Sequence, residues 1–447
     1  MKEQAILILG AGRSSIALIT YLLNFAATNR WTVTVGDFSL QAAIDRVNGH
    51  SSGKAIAFDI AQTEASRAEI AKADVVVSLM PAHLHVQVAA ICLAEKKHLL
   101  TASYVSDEMK NLDAEAKEKG LLFLNECGLD PGIDHMSAMQ VIDRVKQEGG
   151  KLLSFESFTG GLIAPTTDIE NPWRYKFTWN PRNVVMAGQG TAKFLQGGQW
   201  KYIPYQQLFK RTTSVTVPGY GEYEGYANRD SLKYLDTYGL RGIQTMVRGT
   251  LRNKGYCSAW NVLVQLGCCD DTYVLENLSK LSHRDFISMF LEESTQPAED
   301  LICQLFGLDK KGEEMKRLAW SGFFSDEKIG LDQGTPAQLV EHILQKRWKL
   351  QRGDKDFIVM WHRFGVETHG RGKREIQAYL TCTGEDENNT AMAQTVGLPL
   401  AIATKLLLQG KIKSRGVVIP VLPEFYNPIL EELGQMNIKL HEVETAG

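Results

Sequence analysis

The sequence predicts an α/β protein: a doubly wound parallel sheet joined to a mixed sheet that carries a helical insertion. Three observations predict it. Residues 1–130 alternate short apolar strand runs with helical stretches, the pattern of parallel strands linked by right-handed crossovers. After Pro131 the texture changes to alternating runs at 152–161, 357–366 and 375–382, the last two flanking a polar, glycine-containing turn at 367–374. From about 270 to 350 the apolar spacing is helical, with start signals at Ser282, with Asp285 three residues on, and at Thr335-Pro336.

In order, the first strand, Ala5-Ile6-Leu7-Ile8-Leu9, runs into Gly10-Ala11-Gly12-Arg13-Ser14-Ser15 and then an apolar helix from Ile16. Further strands are expected at 31–35, 55–58, 74–79, 98–101 and 121–125, with a surface helix at 110–119 and another helix at 133–148. Strand, GxG turn, helix, strand and terminal acid are the parts of a dinucleotide site of the Rossmann type. Gly10 permits the tight turn, and Gly12 lets the backbone approach a pyrophosphate at the helix N-terminus, where free N–H groups favour negative charge. Ser15 replaces the third glycine and is small enough for close helix–strand packing. Asp37, 22 residues beyond Ser15, stands where an acid accepts ribose hydroxyls. Its charge opposes a 2′-phosphate, so NAD is expected ahead of NADP, with Arg13 and Arg46 as side chains that could still reach a phosphate. In an open sheet of this kind ligands sit beyond the carboxyl ends of the strands, here Gly10, Asp37, Asp59, 78–81, 101–104 and 126–131.

Length and composition bound the rest. The 447 residues accommodate two or three domains, and a net charge of −3 gives no global reason to bind nucleic acid or membrane. Seven scattered cysteines, without CxxC or Cys/His ligand spacing, suggest reduced thiols in a cytoplasmic protein and no metal site. No apolar run is expected to span a membrane, and no signal peptide is expected ahead of the first strand. Charge is uneven, however: from Arg174 to Lys254 there are thirteen Lys/Arg against four Asp/Glu. Most of that excess reads as solvated surface. Arg229, in Asn228-Arg229-Asp230-Ser231, and Arg248 and Arg252, around Gly249-Thr250-Leu251, point further, to a pocket for a small molecule with several carboxylates.

These segments are familiar. Asn125-Glu126-Cys127-Gly128-Leu129-Asp130-Pro131-Gly132-Ile133-Asp134-His135, Tyr175-Lys176-Phe177-Thr178-Trp179-Asn180-Pro181, Asn228-Arg229-Asp230-Ser231 and Arg248-Gly249-Thr250-Leu251-Arg252 resemble the L-glutamate-forming saccharopine dehydrogenases (saccharopine reductases). Thr101-Ala102-Ser103-Tyr104 and Thr395-Val396-Gly397-Leu398-Pro399 match as well, so the resemblance runs through the whole chain in order. It implies a Rossmann domain (1–130), a mixed-sheet substrate and dimerisation domain (131–269 with 351–394), a helical insertion (270–350) and a C-terminal segment (395–447) that returns to the first domain. It implies a homodimer that interconverts saccharopine with L-glutamate and 2-aminoadipate 6-semialdehyde by hydride transfer with NAD(P). Carried over by position, substrate contacts fall on Ser103, Tyr104, Arg229, Thr250, Leu251 and Arg252. Cofactor contacts fall on Gly10, Gly12, Arg13, Ser14, Ser15, Asp37, Asp59, Ile60, Met80, Ala102, Ser103 and Asp130. The family often has Cys where this chain has Thr159, so if that thiol assists proton transfer this chain either does without it or uses the Thr hydroxyl as a weaker hydrogen-bonding substitute.

The chemistry asks for more than binding. An amine must be neutral to give up hydride, so a nearby proton acceptor is useful. Tyr104 and Asp130 are the candidate catalytic pair, with His135 behind them. His135 reads more simply as a capping or packing histidine, Asp134 as a helix N-terminal charge, and Asp230 as the group that orients Arg229. His83 and His85 read either as lining the nicotinamide or as loop surface. Two rivals share the glycine turn: another C–N reductase of the carboxynorspermidine type, whose polyamine would want an acidic pocket, and a non-catalytic NAD-binding regulator.

Overall fold

The structure, a computed structural model, describes residues 3–446 except 188 and 371. Two compact units emerge: Met1–Lys151 with Leu380–His441, and Leu152–Tyr379 with Glu442–Gly447.

The first unit is built on a seven-stranded, wholly parallel sheet. Its strands are β1 (Gln4–Leu9), β2 (Trp31–Asp37), β3 (Gly53–Ala57), β4 (Val75–Ser78), β5 (His98–Thr101), β6 (Leu122–Leu124) and a last strand at Gly416–Val418. The order runs from the last strand through β6, β5, β4, β1 and β2 to β3. The chain therefore reverses direction across the sheet between β1 and β4, the place where an open α/β sheet leaves a crevice at its carboxyl edge. Central strands carry continuous apolar runs because helices cover both faces; Ile6–Leu9 and Val75–Val77 are fully buried. The seventh strand is not apparent from sequence, being three residues long and preceded by the basic stretch 411–415. The expected surface helix at 110–119 is two short ones, Asp107–Lys110 and Asp113–Glu118, each begun by acidic residues.

One helix of this unit, Ala391–Leu408, is long and apolar enough by length and composition to cross a membrane, contrary to the expectation that no such run exists. Its apolar window is 83% buried within the structure. It packs on Ile16–Asn29, the helix that follows the glycine turn. Gly397 makes the approach possible, since a Cβ there would stand 3.0 Å from the backbone nitrogen of Leu18. An all-round apolar helix of this kind is a core element.

The second unit is a mixed sheet. Its strands are β7 (Gly150–Ile163), β8 (Ala192–Gln196), β9 (Gln199–Ile203), β10 (Thr212–Val217), β11 (Gly221–Ala227), β12 (Thr245–Asn253), then Asp356–Thr368, Gly372–Thr383 and Leu440–Ala446. β10, β11 and β12 pair antiparallel, while β12 and β7 run parallel. Helices His283–Ser288, Ala298–Phe306, Glu313–Trp320 and Pro336–Trp348 fill the stretch expected to be helical. Both expected start signals are capping boxes: Ser282 with Asp285, and Thr335 with Gln338, the latter ahead of Pro336 at the first helical position. The core is strongly aromatic, with Trp173 packed edge-on against Tyr256, Trp260 and Trp348.

Candidate active site

In the first unit the expected cofactor residues gather at the carboxyl edge of the sheet. Gly10 has φ +105°, and a Cβ there would lie 3.0 Å from the carbonyl oxygen of Leu79, so only glycine suits the turn. At Gly12 a Cβ would meet nothing within 4 Å, which leaves that backbone open to a ligand. Ser15 is buried, and its hydroxyl donates to the Gly12 carbonyl at 2.8 Å, closing the single turn Arg13–Ser15. That turn and the following helix begin without an acidic residue. The open backbone, helix start and absence of negative charge fit a pyrophosphate. Ile60 is buried, Met80 is half-buried, and Asp59 receives the N–H of Ala61 at 3.0 Å.

Asp37, at the end of β2, is engaged by the backbone. Its two oxygens accept backbone N–H groups, from Ala11 at 2.7 Å and from Ser39 at 2.9 Å. The carboxylate that reads as a ribose acceptor is thus bonded to the glycine turn and to its own strand end. Arg46 lies over the same turn, donating to the carbonyls of Ala11 (3.2 Å) and Gly12 (3.3 Å).

A second group forms where β4, β5 and β6 end. Tyr104 donates its phenol to Asp130 at 3.1 Å. Each is fixed by its own loop. Asp130 rides on Gly128–Gly132, which folds back on itself so closely that a Cβ at Gly132, with φ +148°, would fall 2.0 Å from the Gly128 carbonyl oxygen. Asp134 caps this loop by accepting the Gly132 N–H at 2.6 Å. Tyr104 is bracketed by Glu126, whose N–H donates to the Ser103 carbonyl and whose carboxylate accepts the Val105 N–H, each at 3.0 Å. Glu126 adopts a left-handed backbone, φ +54°, and its other oxygen lies 2.9 Å from His135 Nε2. Both side chains are buried. His135 is the packing residue the simpler reading expects, but its partner, a buried glutamate 9 positions away, is not evident from sequence.

His83 is exposed, whereas His85 is buried and linked to three hydroxyls, those of Ser78, Thr101 and Ser103. Of the two readings of these histidines, the surface one holds for His83 alone.

In the second unit, most of the basic excess is engaged. Lys176 pairs with Asp168 and Asp354, Arg182 with Asp271, Lys193 with Asp230, and Arg241 with Asp236. Arg174 donates to four backbone carbonyls of 164–168. Asp230 pairs with Lys193 and caps the Leu232 N–H. Arg229 is exposed on the loop after β11, with φ +54°.

Arg252 is the exception. It is 4% exposed, its guanidinium carbon lies 5.1, 5.8 and 5.2 Å from the rings of Tyr175, Tyr226 and Tyr256, and its Nε has no hydrogen-bond partner. Burial outweighs the nearby cation and raises all three tyrosines above their ordinary pKa, so they surround it as neutral phenols. Glu224 stands opposite Arg252 in the strand register, yet both its oxygens cap the helix Tyr256–Leu266 through Gly255 and Cys257 N–H. No carboxylate among the described residues pairs with Arg252. Strand alternation puts Arg248, Thr250 and Arg252 on one face of β12 and Leu251 on the other. Thr250 stands opposite Thr159 of β7, whose buried hydroxyl also has no partner. Arg248 stacks over Tyr234 at 4.4 Å.

Comparison with known proteins agrees with this arrangement. Residues 6–124 match the saccharopine dehydrogenase NADP binding domain, and 128–438 match the saccharopine dehydrogenase C-terminal domain. The chain is 32% identical to the NADP(+), L-glutamate-forming saccharopine dehydrogenase of Schizosaccharomyces pombe, covering 98% of both. It is 34% identical to that of Saccharomyces cerevisiae, covering 96% of both. It is 33% identical to the mitochondrial alpha-aminoadipic semialdehyde synthase of Bos taurus, of which it spans 47%. The apo Saccharomyces cerevisiae saccharopine dehydrogenase superposes with a TM-score of 0.88 over 99% of this chain and 100% of that one. The first unit is thus a nicotinamide-dinucleotide-binding domain, and its match to an NADP-binding model runs against the NAD preference expected from Asp37. Matched in both of its parts and along nearly its whole length, the chain belongs to the saccharopine dehydrogenase family.

Proposed function

We propose that the chain interconverts saccharopine with L-glutamate and 2-aminoadipate 6-semialdehyde, using NADP. The observation that carries this reading is Arg252: a buried guanidinium with no acidic partner among the described residues and an open Nε. An uncompensated buried charge is costly to a fold and is retained where a ligand supplies the counter-charge. A substrate with three carboxylates does so, and the bidentate fork of arginine suits a carboxylate. Thr250 and Thr159 offer hydroxyls beside it, and Arg229 is the second cation. A polyamine product would find no acidic counterpart at Arg252, which disfavours the carboxynorspermidine-type alternative.

NADP is favoured over NAD because both Asp37 oxygens already accept backbone N–H groups while Arg46 lies on the glycine turn. The relatives described above as NADP(+)-linked support the same choice. When bound, the nicotinamide accepts or donates the hydride. The chain's own residues do the rest. Tyr104, hydrogen-bonded to Asp130, is the group through which a proton on the substrate nitrogen or on water moves, and Glu126 holds it in place. A homodimer is the assembly the family resemblance implies, and we propose it on that ground alone.

Reduced-nicotinamide absorbance tests this reading with saccharopine and, separately, carboxynorspermidine, each with NADP+ and with NAD+. The proposal expects turnover with saccharopine and NADP+. Turnover with carboxynorspermidine alone supports the rival reductase, and none with either supports a regulator.

A further inference from the structure

His85 opens the helix His85–Ala94, directly after the loop that leaves β4. Its ring is 4% exposed. Nδ1 lies 2.9 Å from Ser78 Oγ, at the end of β4. Nε2 lies 2.7 Å from Ser103 Oγ and 3.2 Å from Thr101 Oγ1, at the end of β5. One imidazole thus ties together the two loops that carry Met80 and Ala102-Ser103. Burial, with a smaller push from His83, holds its pKa down at about 4, so the ring is neutral near pH 7 and has one N–H and one lone pair.

The two tautomers are unequal here. If Nε2 carried the lone pair, the hydroxyls of Ser103 and Thr101 would both compete to donate to it. With the proton on Nε2, a single N–H faces two hydroxyl oxygens that can both accept, and Nδ1 accepts from Ser78. Thr101 Oγ1 already accepts the Ser103 N–H at 3.2 Å, which places it as an acceptor on that side. A serine oxygen that receives the imidazole N–H keeps its own proton to give away, and Ser103 is only half-buried.

We propose that His85 is a positioning residue which, as the Nε2–H tautomer, donates to Ser103 and so presents the Ser103 hydroxyl as a donor to an acceptor oxygen of the bound ligand. That oxygen is either a substrate carboxylate or the cofactor carboxamide. This rests on the reading of Ser103 as a ligand contact in a saccharopine-oxidising enzyme.

Two measurements test it on the full chain. Nitrogen-15 NMR of histidine-labelled enzyme, with the His85 signals assigned by their loss in His85→Gln, reports the tautomer without needing activity. Protonated Nε2 is expected, and protonated Nδ1 overturns the proposal. Steady-state kinetics of His85→Leu, Ser103→Ala and the double variant form the second. His85→Leu is expected to lower kcat/KM by about tenfold to a hundredfold, and to add little once Ser103 is Ala. A fall in kcat/KM for saccharopine at saturating NADP+ identifies the carboxylate, and one seen only when NADP+ is varied identifies the carboxamide. His85→Gln, which keeps an N–H donor, is expected to recover most of the loss, and so separates positioning from folding if the Leu variant is unstable. Equal losses from His85→Leu with and without Ser103, or no rescue by Gln, overturn the proposal. Absence of saccharopine turnover in the unmodified enzyme overturns the functional reading instead, and leaves the NMR result standing on its own.

Discussion

Glu126 Oε2 lies 2.9 Å from His135 Nε2, with the two side chains 3% and 0% exposed. The glutamate also spans Tyr104, bonding to the carbonyl before it and the N–H after it. Removing the carboxylate takes a partner from the buried His135 ring and from the half-buried Val105 N–H. Glu126→Ala is expected to lose roughly 3 kcal/mol or more of stability, measured by denaturant unfolding. Glu126→Gln, which still accepts the Val105 N–H, is expected to lose distinctly less. Equal losses would mean that the bracket on Tyr104 contributes nothing.

Arg252 gives the opposite pattern. Arg252→Met removes a buried, acid-free cation while keeping an apolar stem of similar length, so the melting temperature is expected to hold or rise. Charge-assisted hydrogen bonds contribute about 1.5–3 kcal/mol, so the KM for saccharopine is expected to rise roughly tenfold to a hundredfold with NADP+ binding unchanged. A destabilised variant with normal saccharopine kinetics would make Arg252 a purely structural cation.

Asp37 and Arg46 divide the cofactor site between them. Asp37→Ala frees the Ala11 and Ser39 N–H groups and is expected to weaken NADP+ and NAD+ to a similar degree, because it loosens the turn both share. Arg46→Ala is expected to weaken NADP+ more than NAD+. Ratios of dissociation constants from fluorescence titration of the reduced cofactors check both. A selective gain of NADP+ affinity in Asp37→Ala would restore the ribose-acceptor role.

Acid sensitivity follows from the buried His85 and the half-buried His98. Burial lowers His85 and His98 from 6.5 to about 4. Above pH 6.5 both are neutral whether folded or not and cost nothing. As pH falls from 6.5 towards 4 the unfolded chain takes up protons the fold refuses, so stability drops and then levels off. Each histidine accounts for roughly 3 kcal/mol at most. Unfolding free energies from pH 7.5 to 4 check this. His85→Gln is expected to flatten the curve, and an unchanged slope would contradict the assignment.

How much of this is legible in the sequence depends on the range of the interaction. Local signals are reliable: the Gly10 turn, the capping boxes at Ser282 and Thr335, and the apolar runs of β1 and β4 each concern neighbours in the chain. The paired and unpaired charges are not legible. Asp230 sits beside Arg229 in sequence but bonds to Lys193 from another strand. Asp37 reads as a ligand group because its partner, the Ala11 N–H, carries no side-chain signature. His85 reads equally as nicotinamide lining or loop surface because its three hydroxyl partners come from strand ends up to 18 residues away. Arg252 is the clearest case: thirteen basic residues crowd its stretch, and only the pairing of its neighbours sets it apart.

Under the proposed function, Arg252 and the glycine turn serve one reaction, the NADP-linked oxidation of saccharopine. The most direct test follows reduced-nicotinamide absorbance after saccharopine is added to the purified enzyme with NADP+. A rate that depends on saccharopine is expected, falling at least tenfold in kcat/KM in Arg252→Met. No rate with saccharopine, or one indifferent to Arg252, would contradict it.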